Sequence, residues 1–172
     1  LVVSIDSLWQ NNNWKTHFSP AIQRLVQSGQ SHYALPIHYY PWGIYYRRSV
    51  FAKHGLTVPS SWNEFLRLCE SLKARDITPI SIGTANNWPV AGWFDYLNLR
   101  LNGLEFHQNL LKGKHSYQDH RVENVFKHLA VLRDKGYFIE DHKNLSWREA
   151  LPYLYREQGY GSDGQFLAFT VA

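Results

Sequence analysis

The sequence predicts an α/β layered domain, and three observations support this class. Segments with the apolar spacing of helices alternate with short β-branched or aromatic segments, which favours layers of helices and strands over a helical bundle. The 172 residues, 44% hydrophobic and 19% charged, have the composition of one globular domain of ordinary size. No apolar run approaches the roughly 18–20 residues of a membrane span.

Proline and glycine mark the elements of the first third of the chain. Ser19-Pro20 predicts the start of a short helix that Gly29 ends. Residues 48–54 predict one or two helical turns closed by Gly55. Two runs of β-branched and aromatic residues predict strands: 33–37 and 42–46.

Two capping boxes predict further helix starts, one at 61–64 and one at 146–149. In each, the serine hydroxyl accepts from the amide three residues later and the glutamate reaches back to the cap. The second helix is expected to run to about Gln158 and to bend at Pro152. The first is followed by an apolar stripe at helical spacing: Phe65, Leu66, Leu68, Cys69 and Leu72.

Between the capping boxes the sequence predicts a strand and two helices. Residues 78–82 form the strand candidate, and residues 89–102 form a strongly aromatic helix that ends at Gly103. Asp119 opens another helix that runs to Gly136. Its predicted core stripe is Val122, Val125, Phe126, Leu129 and Leu132.

Charge and motifs exclude several function classes. The chain has 18 Lys and Arg residues and 14 Asp and Glu residues, which give a net charge of +4. Because the basic residues are scattered along the sequence, we expect no nucleic-acid binding. The single cysteine, Cys69, excludes an intramolecular disulfide and is expected to be a small buried hydrophobe. Nine histidines include no His-Glu-x-x-His pattern, and neither a nucleophile elbow nor a phosphate loop occurs. We therefore expect no metal, no cofactor and no catalytic residue.

Aromatic residues are the compositional outlier, with seven Trp, eleven Tyr and nine Phe. Two groups lie in predicted turns, at 38–42 and at 86–89, and ligands of α/β sheets bind beyond strand ends. Flat rings flanked by amides and hydroxyls suit sugars, although a core role stays open for Tyr40, Trp42 and Trp88. Aromatics on helical stripes are expected in the core: Trp62, Trp147, Phe51 and Phe126.

Several motifs follow one another along the chain: YALPI at 33–37, IYYRRSVF at 44–51, HGL at 54–56, PSSWNEF at 59–65, DITPI at 76–80, WP at 88–89, GYF at 136–138 and WREA at 147–150. In this order they together resemble the bacterial extracellular solute-binding proteins of ABC sugar importers. The resemblance covers nearly the whole chain up to Gln158. One departure is Arg47-Arg48, where that family usually has Asn-Lys.

This resemblance implies one lobe of a two-lobed, periplasmic-binding-protein-like (type II) α/β fold, helix-rich with a small mixed sheet. Residues 1–44 would be a remnant of the first lobe with the first hinge crossing, and residues 45–158 most of the second lobe. The implied ligand is a mono- or oligosaccharide, and the implied partners of the full-length protein are ABC permease subunits. The resemblance implies a location that is periplasmic or extracellular and membrane-associated. The implied ligand-binding residues are Tyr40, Trp88, Trp42, His38 and Asn87.

Two other functions stay open beside sugar binding. One is a glycan-active hydrolase fragment that uses Glu105 or Asp95 as its acid. The other is a structural or interaction domain whose aromatics are all core.

The chain is also expected to be incomplete. It contains no methionine, so the start of the reading frame is expected to be missing, and half a cleft should bind sugar weakly or not at all. The exposed lobe surface should then favour a homodimer, through that surface or by a swap of residues 1–30.

The tail at 159–172 is atypical and is expected to be frameshifted. The family resemblance implies a strand like Ala-Gly-Met-Ala-Leu-Met-Gly-Asn-Phe at this point. One DNA sequence that encodes this peptide gives the residues at 159–166 when it is translated in a frame shifted by two nucleotides. The hypothesis is tested by translating the genomic DNA in the other frame after Gln158.

Overall fold

The secondary structure is mostly helical in a computed structural model that describes residues 2–37 and 43–155. The chain divides into an N-terminal unit, Leu1–Pro41, and a C-terminal unit, Trp42–Ala172. The expectations for residues 38–42 and for the tail at 159–172 lie outside the described residues. No helix within the described ranges combines the length and apolarity needed to cross a membrane.

The N-terminal unit is built on two short helices and a hairpin. Its elements are α1 (Asp6–Asn11), a 3-10 turn (Trp14–Thr16), α2 (Pro20–Leu25), β1 (Gln27–Ser28) and β2 (Ser31–His32). The strands are antiparallel, with Gln27 opposite His32. The buried His32 ring stacks on Trp9 at 4.1 Å, and its Nδ1 lies 2.8 Å from Asp6. This cluster fixes the hairpin to α1.

Two predictions for this unit are wrong. The helix that begins at Pro20 ends at Leu25, and Gly29 (φ 61°) instead lies in the turn between β1 and β2. Residues 33–37 form no strand, because the hairpin ladder ends where Tyr33 donates to Val26 and Pro36 has no N–H to continue it.

The C-terminal unit holds six helices among its described residues. They are α3 (Arg48–His54), α4 (Trp62–Lys73), α5 (Trp88–Leu111), α6 (His120–Asp134), α7 (Trp147–Ala150) and α8 (Pro152–Tyr155). The core gathers apolar side chains from α3 to α6, from the segments between them and from the segment after α6, among them Phe51, Phe65, Leu68, Cys69, Leu72, Ile80, Trp93, Leu97, Phe106, Leu110, Val122, Val125, Leu132 and Tyr137. Cys69 is thus the buried hydrophobe that the sequence predicts.

The predicted helix starts in this unit are confirmed, with one detail changed. Helix α3 has the predicted bounds, and Gly55 closes it with φ 62°. The Ser61 hydroxyl accepts from the amide of Glu64 at 3.3 Å. The Glu64 carboxylate, however, accepts from the amide and hydroxyl of Ser60 rather than from the cap residue. These bonds lower the pKa of Glu64.

Helix α5 breaks where the sequence predicts its end and then continues. Gly103 has non-helical angles (φ 80°, ψ 166°), yet helical structure resumes and reaches Leu111. The fully buried Asn98 accepts from Asn102 at 2.8 Å, and its amide nitrogen lies 3.0 Å from Nδ1 of His107. This network ties the two sides of the break together, so the second segment stays packed.

Helix α6 presents one of its predicted core residues to solvent. Asp119 caps the helix by accepting from the amide of Arg121 at 2.9 Å, as predicted. Val122, Val125 and Leu132 are buried, but Phe126 is 54% exposed, so its assignment to the core is wrong. Phe126 lies at the edge of the apolar stripe, where one face of its ring packs on Phe94 at 5.1 Å.

Within the predicted strand at 78–82, Ile80 and Ser81 both have bridge pairing, and Ile80 pairs in parallel with Phe138. Ile80 donates to Tyr137 and accepts from Ile139. Residues 43–46, the described part of another predicted strand, carry no strand assignment in the part of the chain that the structure describes. In the described residues, the strand pairing is therefore a two-stranded antiparallel sheet in the N-terminal unit and isolated bridge pairing in the C-terminal unit.

The last described helices follow the second capping box. Ser146 and Glu149 make both reciprocal bonds of the box. The helix assignment is interrupted at Leu151, which has helical angles, and resumes at Pro152, which cannot donate to the preceding turn. The interruption lies beside the predicted bend at Pro152, the bend itself stays a prediction, and the expected extension to Gln158 lies outside the described residues.

Candidate functional site

The candidate site rests on a close approach of two backbone segments in the C-terminal unit. Thr84 donates to the carbonyl of His142 at 2.7 Å, and Ala85 donates to the carbonyl of Leu145 at 3.0 Å. Gly83 lies so close to this second segment that a Cβ there would be 2.1 Å from the carbonyl oxygen of Ser146. Only glycine fits this approach, which brings the beginnings of α5 and α7 side by side.

Two tryptophans lie at this edge, each at the first position of its helix. The rings of Trp88 on α5 and Trp147 on α7 meet edge to face, with centroids 6.2 Å apart and an interplanar angle of 72°. The Arg148 guanidinium lies 5.1 Å from the Trp147 ring centroid. Trp88 is 39% exposed, so part of its ring is available to a ligand.

The turn before α5 adds polar groups beside Trp88. Asn87 has φ 60°, a left-handed conformation that asparagine tolerates better than most residues. Its backbone amide donates to Thr84 at 2.9 Å, and its side chain makes no capping bond to α5. Asn86 and Asn87 are both exposed, so two exposed side-chain amides directly precede Trp88 in the chain.

The structure therefore brings together Trp88 and Asn87 from the predicted set. The other predicted ligand-binding residues, His38, Tyr40 and Trp42, lie outside the described residues, and their role stays a prediction.

Trp147 is the residue that sequence reasoning assigned differently. It is half-buried against Trp88 rather than enclosed in the main core. The sequence does indicate the position of Trp147. The capping box at 146–149 places Trp147 at the first position of its helix, and Trp88 likewise directly follows the cap residue Asn87. What the sequence does not show is that the two helix starts are neighbours.

A mostly apolar cavity of about 440 Å³ lies near this edge. Its polar boundary includes Thr84, whose hydroxyl lies 2.9 Å from Nδ1 of His142. Burial lowers the pKa of His142, so its neutral form is favoured there. The cavity is lined by Ile82, Thr84, Val90, Trp93, Phe126, Leu129, Ala130, Arg133, Phe138 and His142. With so few hydrogen-bonding groups, it suits an apolar side chain better than a sugar.

The described residues give little geometry for catalysis. Within 2–37 and 43–155, no group of three His, Cys, Asp or Glu residues could hold a metal ion. Asp95 and Glu105, the acids considered for a hydrolase, are both exposed on α5 and lie on opposite sides of the break at Gly103.

Comparison with known proteins identifies relatives for almost the entire chain. Residues 1–162 match the family model described as bacterial extracellular solute-binding protein. A multiple sugar-binding protein of Streptococcus mutans is 28% identical over 149 residues, covering 81% of this chain and 34% of that protein. An uncharacterized ABC transporter extracellular-binding protein of Pyrococcus horikoshii is 26% identical over 156 residues, covering 88% and 34%.

Solved structures with a similar backbone include two sugar-binding proteins. The bacterial solute receptor AcbH, described as having an exclusive preference for β-D-galactopyranose, is 30% identical with a TM-score of 0.73, covering 90% of this chain and 38% of that one. A chitin oligosaccharide binding protein is 20% identical with a TM-score of 0.80, covering 96% and 40%. The chain thus spans about a third of the length of the curated relatives it matches.

Proposed function

This chain belongs to the bacterial extracellular solute-binding protein family, and we propose that it is part of the extracytoplasmic sugar-binding component of an ABC importer. The family is one of substrate-binding proteins rather than of enzymes. The name of the S. mutans relative, a multiple sugar-binding protein, and the galactopyranose preference described for AcbH support a sugar as the ligand. The ABC transporter description of the P. horikoshii relative supports permease subunits as partners and a location outside the cytoplasm.

The backbone similarity confirms the predicted fold class, one helix-rich lobe of a two-lobed periplasmic-binding-protein-like fold. Within it, we assign residues 1–44 to the first lobe and hinge crossing and residues 45–158 to the second lobe. The division of the chain after Pro41 supports a boundary in this region.

The observation that carries the proposed sugar site is the half-exposed Trp88 ring, braced edge to face by Trp147. The C–H faces of a pyranose stack on such a ring, while its hydroxyls need hydrogen-bonding groups at the rim. The side-chain amide of Asn87 can donate and accept in that position. His38, Tyr40 and Trp42 would supply further contacts from the hinge crossing.

In the whole protein, a sugar that contacts both lobes favours the closed arrangement of the hinge, and the permease responds to that arrangement. This chain would hold only part of the cleft. We therefore expect a dissociation constant in the millimolar range or weaker, corresponding to about 4 kcal/mol or less of binding free energy.

Saturation-transfer NMR, which detects weak binding, tests the proposal with a panel of mono- and oligosaccharides that includes galactose. The expected result is transfer to pyranose C–H protons for at least one sugar. The Trp88→Ala variant should reduce this saturation transfer by about threefold to tenfold. That factor corresponds to the free energy of one aromatic stacking contact. Trp62→Ala is the matched control, because Trp62 is also the first residue of its helix but packs on Phe65 and His128.

Three results would contradict the proposal. The first is no transfer to any sugar, and the second is equal loss in Trp88→Ala and Trp62→Ala. The third is release of reducing sugar from glycosides, which would indicate the hydrolase alternative. The stability of Trp88→Ala also distinguishes a ligand-binding ring from a core ring. Truncation of a core tryptophan to alanine lowers the free energy of unfolding by about 3–5 kcal/mol.

We also propose that the chain associates with a second copy of itself. Large apolar side chains exposed on the C-terminal unit, among them Val90, Tyr117 and Phe126, support this. Sedimentation velocity over a concentration series measures it, and a monomer throughout would contradict it.

A further inference from the structure

His142 contacts the turn that precedes α5 through both its backbone and its ring. Its carbonyl accepts from the Thr84 amide at 2.7 Å, and its Nδ1 lies 2.9 Å from the Thr84 hydroxyl. Thr84 is buried, and its hydroxyl also donates to the His142 carbonyl at 3.3 Å. A titratable ring is therefore part of the close approach that brings the beginnings of α5 and α7 side by side.

The surroundings of the His142 ring are mostly apolar. The ring lines the cavity of about 440 Å³ together with Ile82 and Phe138, and its centroid lies 5.8 Å from that of the Phe138 ring. Burial in such surroundings disfavours a charged imidazole and lowers the pKa of His142. None of these contacts requires the cavity to be open, since added cover would only increase the burial.

The charges around the ring strengthen the preference for its neutral form. Lys143 repels an added proton and lowers the pKa of His142 further, whereas Asp141 raises it. From α6, Arg133 lines the same cavity, and its guanidinium is paired with Asp134 at 2.7 Å. The cavity-lining residues of α5 carry no charge. A protonated His142 would thus lie in a mostly apolar space with positive charge on both sides of it.

Protonation of His142 is therefore coupled to separation of the two backbone segments. The ring binds a proton more tightly in water than in the cavity, so acid favours an arrangement in which the ring has left. Its departure would break the bond from Thr84 to the His142 carbonyl and strain the next one, from Ala85 to Leu145. Trp147 follows Leu145 by two residues, so the start of α7 would move as well.

We propose that His142 makes the contact between Trp88 and Trp147 dependent on pH. A neutral ring holds residues 142–147 against the turn before α5, and a protonated ring releases them. This regulation rests on the proposed sugar site, and it predicts that mild acid weakens sugar binding. His142 is a positioning residue, since it acts on the tryptophans through Thr84 and the backbone. The contact should be complete above the ordinary pKa of 6.5 and weaken as the pH falls below it.

Amide hydrogen exchange followed by NMR on the 172-residue chain tests this coupling without a ligand. The Thr84 and Ala85 amides donate across the close approach, so their protection, corrected for the intrinsic exchange rate at each pH, reports its opening. Both should lose protection between about pH 7.5 and about pH 5.5, by up to about tenfold per pH unit, the limit for one linked proton. The amides of Ile80 and Ile139, in the bridge pairing, are the internal control and should keep their protection.

His142→Gln separates titration from packing. Glutamine keeps an uncharged polar side chain, so protection at Thr84 and Ala85 should no longer depend on pH in this range. The matched control is His128→Gln, because His128 belongs to the same unit but its ring packs on Trp62. This control should keep the pH dependence of the original chain.

The tryptophan pair gives a readout that a merely structural histidine would not move. The rings of Trp88 and Trp147 lie 6.2 Å apart and meet edge to face, which is close enough for an NOE between their protons. This NOE should weaken in the original chain over the same pH range and stay constant in His142→Gln. If that variant does not fold, direct NMR titration of the His142 ring replaces it, and its midpoint must coincide with that of the amide protection.

Four results would overturn the proposal. Protection at Thr84 and Ala85 that does not change with pH is the first, and an equal loss at Ile80 and Ile139, which indicates general unfolding in acid, is the second. The third is a pH dependence that persists in His142→Gln or has a midpoint different from that of the ring. The fourth is an unchanged NOE while protection falls. Absence of saturation transfer from any sugar contradicts only the proposed ligand site, because protection and the NOE are measured without sugar.

Discussion

Substitution of Gly83 by alanine should separate the two backbone segments that support the candidate site. The added Cβ would lie 2.1 Å from the carbonyl oxygen of Ser146 and 2.7 Å from that of Leu145. Ordinary contact begins at 3.4 Å, so the segments must move apart by about 1.3 Å. Both obstacles are backbone atoms, which cannot rotate away as the end of a flexible side chain can.

The expected loss of stability follows from this displacement. Overpacking of a well-packed position costs about 1–3 kcal/mol. The same movement stretches the hydrogen bond from Ala85 to Leu145, 3.0 Å long in the structure, which contributes about 1 kcal/mol. We expect Gly83→Ala to lower the free energy of unfolding by about 3 kcal/mol, or the melting temperature by about 6–12 °C.

Urea unfolding followed by tryptophan fluorescence measures this change. The matched control is Gly43→Ala, because a Cβ at Gly43 meets nothing within 4 Å and its φ is not left-handed. This control should leave stability unchanged or raise it slightly. If Gly83→Ala unfolds within about 0.5 kcal/mol of the original chain, well below the cost of overpacking, then the close approach does not hold the two helix starts together.

Three further predictions concern buried polar groups. Asn98→Leu should lower the free energy of unfolding by about 2 kcal/mol in urea, because Asn102 and His107 lose their buried partner, and unchanged stability would contradict this role. Burial lowers the pKa of His142, so stability should be greatest above the ordinary value of 6.5 and fall as the pH drops below it. His142→Gln should flatten that part of the stability profile, and an identical acid dependence would refute the assignment. Burial raises the pKa of the Cys69 thiol to about 12, so a thiol reagent at neutral pH should react with it only after unfolding, whereas immediate reaction of the folded chain would show the site to be open.

Helix starts could be predicted from the sequence because capping is a local interaction. The hydroxyls of Ser19, Ser61 and Ser146 each accept from an amide three residues later, and Asp119 accepts from one two residues later. All atoms involved lie within one turn of the same chain segment. The residue types and their spacing therefore suffice to locate the bond.

Strands could not be predicted in the same way because pairing depends on distant segments. The segments at 33–37 and 78–82 have the β-branched residues of strands, yet each contains a proline that removes a ladder donor. Ile80 finds its only bridge partner among the described residues at Phe138, 58 positions away. Local propensity contains no information about where such a partner lies or how far the pairing extends.

Burial on α6 shows the same limit for side chains. Helical spacing correctly places Val122, Val125 and Leu132 on the inner face. Phe126 belongs to the same stripe, but it lies at the edge, where the neighbouring helix covers only one side of its ring. The apolar stripe shows which face of α6 turns toward the core. How far the neighbouring helix covers that face decides which residues at its edge stay exposed.

The candidate site shows how one local pattern acquires different roles through tertiary contacts. Trp62, Trp88 and Trp147 each occupy the first position of a helix directly after a polar residue. Trp62 packs on His128 of a neighbouring helix. Trp88 and Trp147 meet at a solvent-exposed edge because Gly83 allows their supporting segments to approach within hydrogen-bonding distance. A substitution that leaves every tryptophan and every cap unchanged should therefore alter the candidate site if it adds a single methyl group at Gly83.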